Sequence, residues 1–221
     1  MSEPDDEFRA LLPIIQPHTL LSEARLWSLY ALAKQTCRDG VPGSFVECGV
    51  AAGGSSALLS YVLAKYAGGA RKLYCFDSFA GLPKPAAVDR HEGRGAEELG
   101  WGEGTCAAPV TAMLALCRRL QTDAHVHPVP GLFAETLPLW RERVGPIALL
   151  HMDGDWYSST MTIWMALFDQ VSDDGRIQVD DFGYWDGCRQ ATLEFFAQRR
   201  LPTDFHPIGC CGIWLRKRAA R

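Results

Sequence analysis

The sequence predicts an α/β fold with a mostly parallel, seven-stranded sheet carrying helices on both faces, and three observations predict it. Short apolar runs of strand length alternate with segments of helical period along most of the 221 residues. The first such run ends at a glycine-rich turn, Gly49-Val50-Ala51-Ala52-Gly53-Gly54, that leads straight into a helical pattern. Two later runs, over 147–152 and 176–179, end in aspartates, at the carboxyl ends of strands where an open parallel sheet binds its ligands.

Taken in order, apolar residues recur at helical spacing over 20–33, with Ser22 as the cap, inside an N-terminal helical extension over 1–40. Gly40, Pro42 and Gly43 punctuate the chain before a strand over 44–48. A helix over 55–66 follows the glycine turn and stops at Gly68 and Gly69, and a second strand over 72–76 finishes at Asp77. Helices over 110–120, 133–143, 157–170 and 185–199 then alternate with strands over 125–129, 147–152 and 176–179. Two strand-like stretches, 204–208 and 210–215, close the chain around Gly209. Alternation of this kind implies a parallel sheet covered on both faces, a main domain over 41–221. The stretch 84–108 interleaves glycines with Glu92, Glu97, Glu98, Glu103 and Trp101 and has no usable period. An irregular segment of that length reads as a mobile lid that orders over a ligand.

Composition narrows the function. A net charge of -4 offers no basic field to a nucleic-acid backbone or an anionic membrane. No run of about 18 apolar residues free of charge is present, so nothing is expected to span a bilayer. The first eight residues are acidic, unlike a signal peptide, and the expectation is a soluble, cytoplasmic protein. The basic run Arg216, Lys217, Arg218 and Arg221 reads as a solvated tail. Several of the eight cysteines lie inside apolar runs and none forms a Cys-x-x-Cys pair, so reduced, buried thiols are expected. Cys210 and Cys211, neighbours on a predicted strand, should point to opposite faces.

Glu47, at the end of the first strand, is the informative residue of the glycine turn. A buried carboxylate is costly without a partner, and the ammonium of an amino acid would supply one. Gly49 and Gly53 let backbone approach a ligand, and the helix that follows favours a carboxylate at its start. The turn can therefore hold a zwitterion, the form presented by the methionine part of S-adenosylmethionine (SAM). Asp77 is placed to accept both hydroxyls of a ribose. The blander alternative pairs Glu47 with a protein arginine and makes Asp77 a helix cap.

His151-Met152-Asp153-Gly154-Asp155 and Val179-Asp180-Asp181 end the two aspartate-bearing strands. If those strands are neighbours, Asp153, Asp180 and Asp181 converge, repel one another, and call for a divalent cation. All-oxygen ligation suits Mg²⁺, with Mn²⁺ or Ca²⁺ as substitutes. A cation there would lower the pKa of a substrate hydroxyl and hold its oxygen in line with a transferable methyl. Asp155 is the candidate general base and His151 the alternative. The competing explanation makes these aspartates helix caps.

At these residues the chain resembles the macrocin O-methyltransferase family. The resemblance runs from about Gly40 to the C-terminus. Its motifs are Phe45-Val46-Glu47-Cys48-Gly49-Val50 with Gly53-Gly54-Ser55-Ser56, Asp77-Ser78-Phe79-Ala80-Gly81-Leu82-Pro83, and Gly131-Leu132-Phe133-Ala134-Glu135-Thr136-Leu137-Pro138. Asp153-Gly154-Asp155-Trp156-Tyr157-Ser158-Ser159-Thr160 and Val179-Asp180-Asp181-Phe182, followed by Cys188-Arg189-Gln190-Ala191, complete the set. The resemblance implies a single Rossmann-like class I methyltransferase domain with an antiparallel last strand. It implies Mg²⁺ held by Asp153, Asp180 and Asp181, and Asp155 as base. It also implies SAM contacts at Glu47, Gly49, Val50, Gly53, Ser55, Ser56, Asp77, Ser78, Gly131, Phe133 and Asp153. The implied activity is methyl transfer to a hydroxyl of a small molecule, a glycoside or phenolic natural product. A nitrogen or thiol acceptor and a non-catalytic SAM-binding protein are the alternatives. Trp156 stands where leucine is more usual, and Ala51-Ala52 where a bulkier basic pair is common, so the acceptor stays open.

Three weaker signals remain. His125 and His127 have the spacing of a metal pair, but an ordinary edge-strand role is preferred in the absence of a third ligand. Trp101 and Trp185 are placed near an acceptor pocket. The helix over 20–33 carries more apolar surface than a peripheral helix needs, which suggests a homodimer or higher oligomer.

Overall fold

The computed structural model describes residues 3–69 and 71–218. Asp5 accepts a hydrogen bond from the Phe8 amide at 2.9 Å and starts helix α1 (Asp6–Ile15). Ser22 does the same for α2 (Glu23–Arg38), as the sequence predicts. There follow β1 (Ser44–Cys48), α3 (Gly54–Tyr66), β2 (Leu73–Asp77), a small hairpin of β3 (Arg90–His91) and β4 (Arg94–Gly95), and α4 (Val110–Arg119). The second half runs β5 (Val126–Pro130), α5 (Phe133–Val144), β6 (Ile147–Met152), α6 (Tyr157–Leu167), β7 (Val171–Val179), α7 (Asp186–Gln198), β8 (His206–Ile208) and β9 (Gly212–Arg216).

Seven strands form one sheet in the order β5-β2-β1-β6-β7-β9-β8. The first five are parallel, and β9 runs antiparallel to both β7 and β8. The order reverses between β1 and β6, and their carboxyl ends open the crevice in which such sheets bind ligands. One apolar cluster packs α1 to α4 on one face; a second packs α5 to α7 on the other. Residues 3–40 thus share a core with the sheet they cover.

The apolar face of α2 is covered within the chain. Phe8 of α1 sets its ring edge-on to Trp27 at 5.2 Å and tilted against Tyr30 at 5.5 Å, so α1 covers that part of the helix. Strand β7 begins earlier than the apolar run suggests, because exposed Asp173 and Asp174 interrupt its pattern while its backbone continues. The 84–108 segment is tied down by side chains. Asp89, 1% exposed, accepts from the Ala86 amide at 2.7 Å and from the Tyr157 amide at 2.8 Å, capping α6. Trp156 donates its indole N–H to the Pro83 carbonyl at 2.8 Å, and the His91 ring stacks on Tyr184 at 3.9 Å.

Two expectations need correction. The basic C-terminal run is fastened down: Lys217 donates to the Val171 carbonyl at 2.6 Å, Arg216 pairs with Asp174 at 2.6 Å and Arg218 with Asp204 at 3.3 Å. Arg221 lies outside the described residues. Cys210 and Cys211 sit in the turn between β8 and β9, where strand alternation does not apply, and their sulfurs approach to 2.8 Å. All eight cysteines are free, and Cys48, Cys75, Cys117 and Cys188 are buried. No helix among the described residues is long and apolar enough to cross a membrane.

Candidate active site

The glycine turn is shaped by contacts that only glycine tolerates. Gly49 has φ +96°, and a Cβ there would lie 1.8 Å from the Asp153 carbonyl oxygen, so the ends of β1 and β6 touch. Asp77 fastens the turn from β2. Its carboxylate accepts from the Val50 amide at 2.6 Å, the Ala51 amide at 3.1 Å and the Phe79 amide at 2.6 Å. Beside it opens a cavity of about 510 Å³ at the carboxyl ends of the strands, a size suited to a small-molecule site.

Of the predicted cofactor residues, Gly49, Val50, Ser55, Asp77, Ser78, Gly131, Phe133 and Asp153 line this cavity. Glu47, Gly53 and Ser56 do not. Gly53 instead starts α3 in a left-handed conformation against Met113. Glu47 and Ser56 are fully buried beneath the floor. Ser56 donates its hydroxyl to one Glu47 oxygen, and the other lies 3.1 Å from Nδ1 of His151. Strand alternation is the reason: Glu47 shares a face with Phe45, inside the α1–α4 core, and its register partner on β6 is His151.

His151 is likewise fully buried and does not line the cavity. Burial disfavours its charged form, but Asp180 and Glu47 outweigh that and hold its pKa up at about 9. Its Nε2 lies 4.0 Å from Asp180 Oδ1. A buried row thus runs from Ser56 through Glu47 and His151 to Asp180, under both the glycine turn and the acidic cluster.

Above that row, carboxylate oxygens of Asp153, Asp155 and Asp181 all lie within 4.8 Å of one another. Burial, then the neighbouring carboxylates, push Asp153 and Asp155 well above the usual range. Burial and Asp180 raise Asp181 to about 6. Asp155 adopts φ +54° and accepts from the Trp185 indole N–H at 3.1 Å. Asp155 joins Asp153 and Asp181 in this converging set, while Asp180, which lines the same cavity, pairs with Arg25 of α2. Alternation again decides: Asp180 lies two residues beyond Gln178, whose amide reaches the Arg25 carbonyl at 3.2 Å on the same side. Asp180 Oδ1 and Asp181 Oδ2 are buried without a hydrogen-bond partner. Unpartnered carboxylate oxygens amid mutually repelling carboxylates are the donor chemistry that a hard divalent cation satisfies.

Trp101 and Trp185 both line the cavity, as the sequence suggests, along with Leu20, Cys106, Tyr184 and Cys211, which it does not reveal. His127 packs on Tyr74 at 5.4 Å in edge strand β5, and His125 faces the Arg71 carbonyl at 3.2 Å.

The family model of the macrocin O-methyltransferases (TylF) matches residues 11–217. The chain belongs to that family. This macrocin-family O-methyltransferase is 32% identical over 204 residues to the 8-demethyl-8-(2,3-dimethoxy-alpha-L-rhamnosyl)-tetracenomycin-C 4'-O-methyltransferase of Streptomyces olivaceus, covering 92% of this chain and 77% of that one. It is 29% identical over 208 residues to mycinamicin III 3''-O-methyltransferase of Micromonospora griseorubida, covering 91% and 79%. Among solved structures, the O-methyltransferase NovP superposes with a TM-score of 0.82 at 27% identity, covering 91% of this chain and 82% of that one.

Proposed function

We propose that this O-methyltransferase moves the methyl group of SAM to a hydroxyl of a glycosylated natural product, with Mg²⁺ held at the acidic cluster. The carrying observation is that Asp153, Asp155 and Asp181 converge in the same cavity as the Asp77-pinned glycine turn. Both relatives are named O-methyltransferases of natural products, and the name of the first specifies a rhamnosyl-bearing substrate methylated at a 4'-oxygen.

The chain's own groups divide the work. Gly49, Val50, Ser55 and the Gly131–Phe133 loop form the wall that seats the methyl donor, and Asp77 lies where ribose hydroxyls would reach it. A bound divalent cation would be held by Asp153 and Asp181, with Asp180 adjacent, and would supply positive charge that eases ionisation of a nearby hydroxyl. Asp155, oriented by the Trp185 indole, takes the proton from the acceptor O–H. The freed oxygen forms the new C–O bond as the methyl–sulfur bond breaks, and the sulfonium becomes a neutral thioether. Trp101, Tyr184, Trp185 and Leu82 give the acceptor side an apolar, aromatic wall suited to the faces of a sugar ring.

The test is purified protein incubated with SAM and a panel of rhamnosylated, phenolic, amine and thiol acceptors, with and without EDTA, read by mass spectrometry. A product 14 Da heavier on a glycoside oxygen, lost with EDTA and restored by Mg²⁺, is expected. Asp153→Asn should cut turnover by more than about a hundredfold while S-adenosylhomocysteine still binds. Turnover that ignores EDTA, or that occurs only on nitrogen or sulfur, would refute the proposal.

A further inference from the structure

We infer that Arg25 competes with the divalent cation for Asp180: its guanidinium neutralises that carboxylate when no ion is bound and yields or shares it when one binds. The inference rests on the reading of the acidic cluster as a cation site. Among the described residues, Arg25 is the one basic side chain lining the cavity, against Asp77, Asp153, Asp155, Asp180 and Asp181. It reaches in from the first turn of α2, its side chain only 16% exposed, to pair with Asp180, which is 1% exposed. Its charge acts on Asp153 and Asp181 as well.

A guanidinium spreads one positive charge over a planar fork, whereas a divalent ion concentrates two at a point. Arg25 can therefore quiet the cluster without satisfying it, and Asp180 Oδ1 and Asp181 Oδ2 remain without partners. An arriving ion meets a like charge already in place and must work against it. The contest also reaches the cavity wall. Arg25 donates through its second terminal nitrogen to the Leu20 carbonyl at 3.1 Å, and Thr19, Leu20 and Leu21 line the cavity. Release of Arg25 from Asp180 frees a side chain that braces this wall, which links ion binding to acceptor entry.

The experiment is titration of the full chain with Mn²⁺, free ion read by electron paramagnetic resonance, without cofactor or acceptor. Wild type, Arg25→Met, Arg25→Lys, Asp180→Asn and the Arg25→Met/Asp180→Asn double variant are compared. Arg25→Met is expected to bind Mn²⁺ about tenfold or more tightly than wild type. Arg25→Lys should stay near wild type. The gain should shrink at least about threefold in the Asp180→Asn background, because the larger part of the competition acts through that carboxylate. In thermal melts, Arg25→Met should lose stability without ion and recover more of it with Mn²⁺ than wild type gains. If Arg25→Met fails to fold, Arg25→Gln carries the same comparison. Equal or weaker Mn²⁺ binding in a folded charge-removing variant, or a gain undiminished by Asp180→Asn, overturns the role of Arg25 and leaves the cation site standing. Absence of Mn²⁺ binding in every variant overturns both.

Discussion

Replacing His151 with leucine tests the placement of Glu47 most directly. Both side chains are fully buried and face each other at 3.1 Å, and the second Glu47 oxygen has only the Ser56 hydroxyl. Removing the imidazole leaves a buried carboxylate with one neutral donor, and breaking such a pair costs about 3–5 kcal/mol. In a chain of this size each kcal/mol shifts the melting midpoint by about 2–4 °C, so His151→Leu should lower it by roughly 6–20 °C. Glu47→Gln keeps a group of the same shape beside both partners and should cost less, about 1–2 kcal/mol. Circular dichroism melts give the stability, and calorimetric titration with S-adenosylhomocysteine gives the affinity. Because neither residue lines the cavity, the Kd of a folded Glu47→Gln variant should stay within about threefold of wild type. A loss beyond about a hundredfold with an unchanged midpoint would show Glu47 gripping the cofactor ammonium directly, and the buried-brace reasoning would be wrong.

Asp77→Ala removes the acceptor for three backbone amides and should raise the S-adenosylhomocysteine Kd at least about tenfold; a titration showing no change would mean that the turn holds itself. Trp185→Phe keeps an aromatic ring but removes the donor to Asp155. It should lower kcat about tenfold with cofactor affinity preserved, whereas a pure KM effect would reduce Trp185 to an acceptor wall. Glu7 is held down to about 2: burial opposes its ionisation, but Lys65 and Tyr66 outweigh it. A carboxylate lowered in this way stabilises the fold above its ordinary value of 4.5 and loses that contribution as pH falls towards 2. Urea unfolding should therefore show Glu7→Gln less stable than wild type at pH 7, with the gap closing as the pH falls through that window.

Much of the scaffold was legible because its signals are local. The runs over 44–48 and 147–152 are mostly apolar and follow Gly43 and Pro146, and both fold as strands over those residues. Helix α1 was harder to read, being ten residues long with Pro13 inside it and an acidic start that resembles a tail. The 84–108 segment has no period because Asp89, Trp156 and His91 hold it through contacts to distant backbone and rings, which leave no repeat in sequence. At the site, strand ends could be found but not the face each side chain takes. Strand-end position alone does not show that Glu47 lies beneath the cavity against His151, or that Asp180, within the cavity wall, pairs with Arg25. The Arg25–Asp180 pair spans 155 positions, a separation over which neither propensity nor spacing carries information.

The contact between Gly49 and the Asp153 carbonyl also limits how members of such a family can diversify. A side chain at Gly49, or at Gly43 where a Cβ would lie 2.4 Å from the Pro146 oxygen, would wedge β1 away from β6, so the cavity cannot be enlarged from below. Changes of acceptor must be written into the parts that hang over it: the 19–25 stretch, the 84–108 shoulder and the Tyr184–Trp185 pair. Grafting those three pieces between relatives, with the floor left alone, is the route by which one chemistry can be handed a different acceptor.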